Sequence, residues 1–297
     1  MPDSRVARCI GGLCDDRAMS TISTPPSRTS GALQAGRPIA KADMIEGMAK
    51  GMAVLESFDT QRQRLNATLA AERAGITRAA ARRHLLTLAH LGYLETDGSY
   101  FWLAAKVLRF SGSYLASARL PRAIQPTLNR LAAQTQESFS AGVLDADEVV
   151  IVGRSGYEWK SSSSGAVRVL AYGLHLGARL PAHATSTGRV LLAAQGKTAF
   201  TQWLKGRSLP RLTTRTVIDI AQFRAVIERV RVDDFSLAVE EHELGVHALA
   251  VPLRNMQGKT VAALNVVASP QRLSAQDMQR DLLPLLLDAA RELRPLM

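Results

Sequence analysis

LNATLAAERAGITRAAARRHLLTLAHLGYLETDGSY, residues Leu65–Tyr100, is the stretch whose reading decides the fold of the first part of the chain. A short helical run, Ala67–Ala74, meets Gly75, the residue type that ends helices where the backbone must turn with positive φ. Thr77 is placed to cap a second helix running to about Ala89. On that helix Ala81, Leu85 and Leu88 recur at i, i+4 and i+7 and are expected to face inward, while Arg78 and Arg82 share another face with Arg83 beside them. Downstream, Asp97-Gly98 separates Gly92–Thr96 from Ser99–Leu103, a strong hairpin signal between two aromatic or β-branched runs. Helix, tight turn, helix and hairpin predict a winged helix-turn-helix. Its candidate DNA-contacting residues are Thr77, Arg78, Arg82 and Arg83 on the second helix and Tyr100 on the wing. The competing reading is a small helical packing unit whose arginines are merely solvated.

Bulk charge adds little to that choice. The chain carries a formal charge of +11, which favours polyanionic partners. Residues 44–103, however, hold seven Lys/Arg against six Asp/Glu. The DNA reading therefore rests on where Arg78, Arg82 and Arg83 sit.

At 297 residues the chain is long enough for two domains with separate cores. Residues 1–43 are rich in Ser, Thr, Pro and Gly and are expected to be a disordered tail. The tail has no signal-peptide core, and translation from Met19 is as plausible as from Met1. Both cysteines, Cys9 and Cys14, lie there; two thiols alone do not complete a four-ligand zinc site, and their scarcity points to a reducing cytoplasm. No apolar run approaches bilayer-spanning length, so no membrane partner is expected. Residues 44–103 form the expected DNA-binding domain, opened by an amphipathic helix with Met48, Met52, Leu55 and Phe58 inward. Residues 104–120 are expected to be a linker helix. Its broad apolar face, Val107, Leu108, Phe110, Tyr114 and Leu115, would bury itself against a second copy of the chain or against its own domain.

From Pro121 a helix runs to about Thr135, and the pattern then changes. Ser138–Leu144, Glu148–Gly153, Phe235–Glu240, Ala248–Leu253 and Thr260–Ala268 read as strands. Thr187–Ala194, Ala199–Leu204, Ile220–Val232 and Ser274–Arg294 read as helices. Strand pairs on short turns with helices segregated around them predict an α+β sensor domain over residues 121–297, not a doubly wound parallel sheet.

No catalytic constellation emerges. Gly196-Lys197-Thr198 lacks the first glycine of a phosphate-binding loop, since Leu191 stands there, and no nucleophile elbow or zinc-protease motif occurs. No cofactor is implied. Glu240-Glu241-His242-Glu243 with His247 reads as a solvated charge run in preference to a metal site. Tyr157 and Trp159, beside the flexible Ser161–Ser164 and Gly165, are either a lid or exposed aromatics. The feature that points to a ligand is Arg179–Leu192. Thr185, Ser186 and Thr187 stand at the start of an apolar helix, where free N–H groups and Gly188 would cradle a carboxylate; equally, a hydroxyl there is only an N-cap.

GMAKGMAVLESF, AGITRAAARRHLLTLAHLGYLETDGSYFWL, GARLPAHATSTGRVLLAA, DDFSLAVEEHELGVHALAVPLRN and GKTVAALNVVAS together resemble the IclR family of bacterial transcriptional regulators, over about Ile45 to Glu292. TRAAARR and RLPAHATSTGRVLLA look like the subgroup governing aromatic-acid catabolism, of the protocatechuate or hydroxybenzoate type. The resemblance implies a winged helix-turn-helix joined by a linker helix to an α+β, GAF/PAS-like effector-binding domain. It implies a homodimer or dimer of dimers on palindromic double-stranded operator DNA, with RNA polymerase as a further partner, and a small aromatic acid as effector. In members that bind small 2-oxo acids, the cradle corresponds to Ser186 and Thr187, with walls at Val169, Tyr172, Leu180 and Val246. Those members place an acidic residue and a cysteine where this chain has Ala238 and Ala248, and two alanines make the pocket larger and drier, as an aromatic ring requires. Arg179 would assist the carboxylate or else lie on the surface. The chain departs from the aromatic-acid subgroup at Ala171 and Gly173, where serines are usual, and at Thr187, where Met is usual. The alternative function is an enzyme acting on a small organic acid with a fused helix-turn-helix.

Overall fold

The computed structural model describes residues 40–59, 62–155 and 175–297. Helix α1 (Glu46–Glu56) leads to α2 (Ala67–Ala74) and α3 (Arg78–His90), followed by the hairpin β1 (Leu94–Thr96) and β2 (Phe101–Leu103). The turn between α2 and α3 forms as the sequence predicts. Gly75 takes φ 65°, and Asn66 and Thr77 cap the two helices, Thr77 accepting the Ala80 N–H at 3.3 Å. Val54, Phe58, Leu65, Ala70, Ala71, Ala81, Leu85, Leu94 and Phe101 make one core, with Leu88 packed against it. Buried alanines on α2 and α3 let three short helices approach closely around few large side chains.

The inward face of α1 differs from expectation. Met48 is 67% exposed and Met52 is exposed as well, whereas Val54 and Phe58 are buried. The stripe that meets α3 runs through Gly51, Val54, Leu55 and Phe58, and a Cβ on Gly51 would stand 3.5 Å from His84 Nδ1. Counting methionines shifts the periodicity by one residue, because Gly51 on the packed stripe carries no hydrophobic signal.

Beyond a 3-10 turn at Ala105–Val107 comes α4 (Leu108–Ser117), none of whose residues is buried. Helix α5 (Arg119–Thr135) precedes the second core. Among the described residues six strands, β3 (Ser138–Asp145), β4 (Glu148–Arg154), β5 (Arg179–Pro181), β6 (Ser236–Val239), β7 (His247–Arg254) and β8 (Thr260–Ala268), form an antiparallel sheet in the order β5-β4-β3-β8-β7-β6. Period-two alternation divides its faces. Phe139, Ala141, Leu249, Val251, Leu253, Leu264 and Val266 pack on α5 and the C-terminal helix. Val149, Ile151, Ala250 and Ala263 face α6 (Ser186–Ala193), α7 (Lys197–Leu204) and α8 (Ile220–Asp233). Expected helices and strands thus recur within a residue or two at most ends, in an α+β arrangement. The short β5 was not expected: three residues ending in proline carry no alternation signal, and only pairing with β4 makes them a strand.

The final helix, expected as one element, is three segments. A Ser274–Asp277 capping box opens α9 (Ala275–Asp277), a π-turn spans Met278–Leu282, and α10 (Leu283–Leu293) follows. Pro284 lacks the N–H that an α-helical ladder needs at that point, and the Leu283 N–H instead reaches back to the Met278 carbonyl. Among the described residues no helix is long and apolar enough to cross a membrane.

Candidate functional site

On α3 the buried Ala81 and Leu85 fix the helix rotation, leaving Arg78, Arg82 and Arg83 exposed on its other side. Thr77 is committed by its hydroxyl to the helix cap. Tyr100 is exposed at the end of the wing turn, where Gly98 takes φ 97°. A short helix with three free-facing guanidinium groups, backed by a close-packed partner helix and flanked by a hairpin, has the shape that enters a major groove.

In the second domain, β5 ends at Pro181, a 3-10 turn covers Ala182–Ala184, and α6 begins. Thr185 is the N-cap, its Oγ1 accepting the Gly188 N–H at 3.2 Å and donating to the Pro181 carbonyl at 3.1 Å. Ser186 and Thr187 are buried behind it. Ser186 Oγ lies 3.4 Å from Asn265 Oδ1, and Asn265 Nδ2 donates to Ser140 Oγ at 3.3 Å. Asn265 and Ser140 are not among the residues the sequence points to; inside VAALNVVAS the lone amide is the available signal, since a polar residue amid a buried strand needs a partner.

Two glycines set the close packing here. A Cβ on Gly188 would stand 2.2 Å from the Ala182 carbonyl oxygen, so this glycine serves the approach of its own backbone, not that of a ligand. A Cβ on Gly142 would meet Val149 at 2.4 Å and Thr187 Cγ2 at 3.0 Å. Ala238 and Ala248 are direct cross-strand partners between β6 and β7, on the face that α6 covers.

The remaining expected residues separate. Leu180 is half-buried and packs towards the core under α6. Arg179 points the other way, donating from Nε to Glu148 at 2.5 Å and from Nη2 to Asp145 at 2.7 Å. Its guanidinium is engaged at the surface by two carboxylates, so the structure takes Arg179 out of the cradle. Val246 is half-buried, and its carbonyl accepts the Glu240 N–H at 2.8 Å. Val169 and Tyr172 lie outside the described residues, as do Tyr157, Trp159, Ser161–Ser164 and Gly165.

The acidic run also differs from expectation. Glu241 is buried, and Arg189 of α6, only 2% exposed, binds both its carboxylate oxygens while donating from Nε to the His183 carbonyl at 3.0 Å. Glu241 Oε2 further accepts the Val217 N–H at 3.2 Å. Burial pushes the His183 imidazole below its usual pKa, and its Nε2 lies 3.0 Å from the Pro210 carbonyl. That contact requires a protonated Nε2, which the neutral ring supplies. Burial likewise lowers His242. Among the described residues no group of three or more His, Cys, Asp or Glu is placed to hold a metal ion.

Two family models match the chain. The IclR helix-turn-helix domain covers residues 47–98, and the C-terminal domain of the bacterial transcriptional regulator IclR covers residues 112–294. The Pca operon regulatory protein of Acinetobacter baylyi is 50% identical over 252 residues, 85% of this chain and 89% of that protein. The p-hydroxybenzoate hydroxylase transcriptional activator of the same organism is 51% identical over 254 residues, 86% and 92% of the two chains. Among solved structures, the inducer-binding domain of the PobR transcription factor from Acinetobacter, a double mutant in complex with 3-hydroxybenzoic acid, is 46% identical with a TM-score of 0.55, covering 60% of this chain and 98% of that one. Winged helix, sheet and relatives agree: the chain belongs to the IclR family of bacterial transcriptional regulators.

Proposed function

We propose that this regulator controls an aromatic-acid catabolic operon and responds to a small aromatic carboxylate bound at the start of α6. The observation that carries the reading is the buried Ser186–Asn265–Ser140 group, set on a sheet face beside Ala238, Ala248, Ala250 and Ala263, with Val149 and Ile151 on the same face. Hydroxyl and amide groups answer a carboxylate or a ring hydroxyl, and small apolar neighbours match the apolar lining that an aromatic ring takes. Ala238 opposite Ala248 offers no carboxylate or thiol to a small 2-oxo acid. The likeness to regulators named for p-hydroxybenzoate and Pca operons, and to a domain solved with 3-hydroxybenzoic acid, supports the same ligand class.

On DNA, Arg78, Arg82 and Arg83 read the operator and Tyr100 touches its backbone. The active species is a cytoplasmic homodimer or dimer of dimers joined through α4, where Leu108 and Phe110 are 64% and 61% exposed, and contact with RNA polymerase belongs to the same reading. Calorimetry with benzoate, the hydroxybenzoates and protocatechuate tests the effector. At least one should bind with a defined stoichiometry and alter the affinity for a duplex enriched from a random pool. Failure of every aromatic acid to bind rejects the ligand class.

A further inference from the structure

The wing carries no cation of its own. Leu94–Leu103 contains Glu95 and Asp97 and neither Lys nor Arg, so the hairpin alone presents two carboxylates to a polyanion. A cation reaches it from elsewhere in the chain. Leu65 pairs with Phe101, donating to its carbonyl at 3.0 Å and accepting its N–H at 2.8 Å, which lays the segment before α2 along β2. The preceding residue, Arg64, extends over the wing. Its guanidinium carbon lies 4.6 Å from the Trp102 ring centre and 5.8 Å from that of Tyr100, and Nη2 donates to Asp97 Oδ2 at 2.5 Å.

The rings and the turn are themselves held. Trp102 Nε1 donates to Glu95 at 2.9 Å, and Asp97 Oδ1 accepts the Ser99 and Tyr100 N–H groups at 3.0 and 2.8 Å. The Arg64 side chain nevertheless stays 56% exposed. A guanidinium carries five N–H donors in one plane; stacking on the aromatic rings orients that plane, and the Asp97 contact occupies one edge of it. The other edge suits a phosphate, which arginine binds in the same forked geometry.

We propose that Arg64, outside both the recognition helix and the wing, adds to Tyr100 the cationic contact between the wing region and the DNA backbone, bridging Asp97 to a phosphate. This rests on the DNA-binding reading of the helix-turn-helix. Asp97 holds one edge of the guanidinium, Trp102 and Tyr100 lie under it, and the free edge is left for the phosphate.

The test measures affinity for a duplex enriched from a random pool by the wild-type protein, by fluorescence anisotropy across a salt series. Arg64→Gln should weaken binding several-fold and make the slope of log K against log salt shallower by about 0.9 per protomer. Arg64→Lys keeps the charge without the fork and should keep the wild-type slope with part of the affinity. Asp97→Asn retains the acceptor for the Ser99 and Tyr100 amides but removes a carboxylate that faces phosphate, and should tighten binding. A wild-type slope for Arg64→Gln in a protein with the wild-type melting temperature overturns the proposal. So does weaker binding by Asp97→Asn, which decides the matter should Arg64→Gln disturb the wing. A wild-type protein that enriches no duplex at all removes the DNA reading and this proposal with it, a result distinct from an unchanged slope.

Discussion

Asn265 of β8 and Ser186 of α6 meet inside the effector domain with Ser186 Oγ 3.4 Å from Asn265 Oδ1, while the same amide donates to Ser140 on β3. Three polar side chains from a helix and two neighbouring strands are thereby closed on one another away from water. Each satisfies part of another's hydrogen-bonding capacity, which keeps their burial affordable in the absence of ligand. The 3.3–3.4 Å separations are at the long end for hydrogen bonds, so a carboxylate competing for these donors displaces weak contacts.

Ser186→Glu is expected to abolish aromatic-acid binding, because it sets like charge and extra bulk at the proposed carboxylate anchor; circular dichroism and DNA binding separate that loss from disturbance of the buried site. Ser186→Ala, which removes the hydroxyl without adding bulk or charge, should weaken binding by about 1–2 kcal/mol. Calorimetry reads both. Tight binding that survives Ser186→Glu would place the pocket elsewhere.

Arg78→Ala and Arg82→Ala should each cost about 1–3 kcal/mol in specific affinity where the side chain reads a guanine. Both arginines are exposed on α3 beside the buried Ala81, so the folded state should be little affected. Competition between the enriched duplex and random DNA separates base reading from phosphate contact. Unchanged specific affinity in both variants would remove these residues from the recognition surface.

Helix α4 buries none of its residues in a single chain, apart from Phe110 stacking on Tyr93 with ring centres 5.6 Å apart. Leu108→Asp combined with Phe110→Asp should therefore release monomers, since a self-complementary apolar contact would acquire unpaired charges on both sides. Sedimentation velocity reports the change, and a double variant of wild-type mass would mean that the copies join elsewhere.

Arg189→Met leaves Glu241 buried without its bidentate partner and should destabilise the effector domain by about 3–5 kcal/mol. Replacing both, Arg189→Met with Glu241→Leu, should recover a large part of that loss by removing the orphaned charge. Chemical denaturation of the single and double variants gives the coupling. A single variant within about 0.5 kcal/mol of wild type would show that the pair adds nothing, as for ordinary surface substitutions.

The sequence by itself determined the DNA-binding half. Gly75, the Thr77 cap, the alanine and leucine periodicity of α3 and the Asp97-Gly98 turn act over one to four residues, and the structure returns each of them. Alternation did the same for the long strands, and Thr185–Gly188 marked the start of α6. Tertiary structure decided what depends on distant partners. Val54 and Phe58, not Met48 and Met52, are buried beside α3; Arg179 is drawn to Asp145 and Glu148 on adjacent turns and strands of the sheet. Arg189 finds Glu241, 52 residues away, and Asn265 finds Ser140, 125 residues away. A charged or polar side chain looks the same in sequence whether water or a buried partner satisfies it. Only the packing of α6 against the sheet settles which, because desolvation leaves these groups no other acceptor or donor.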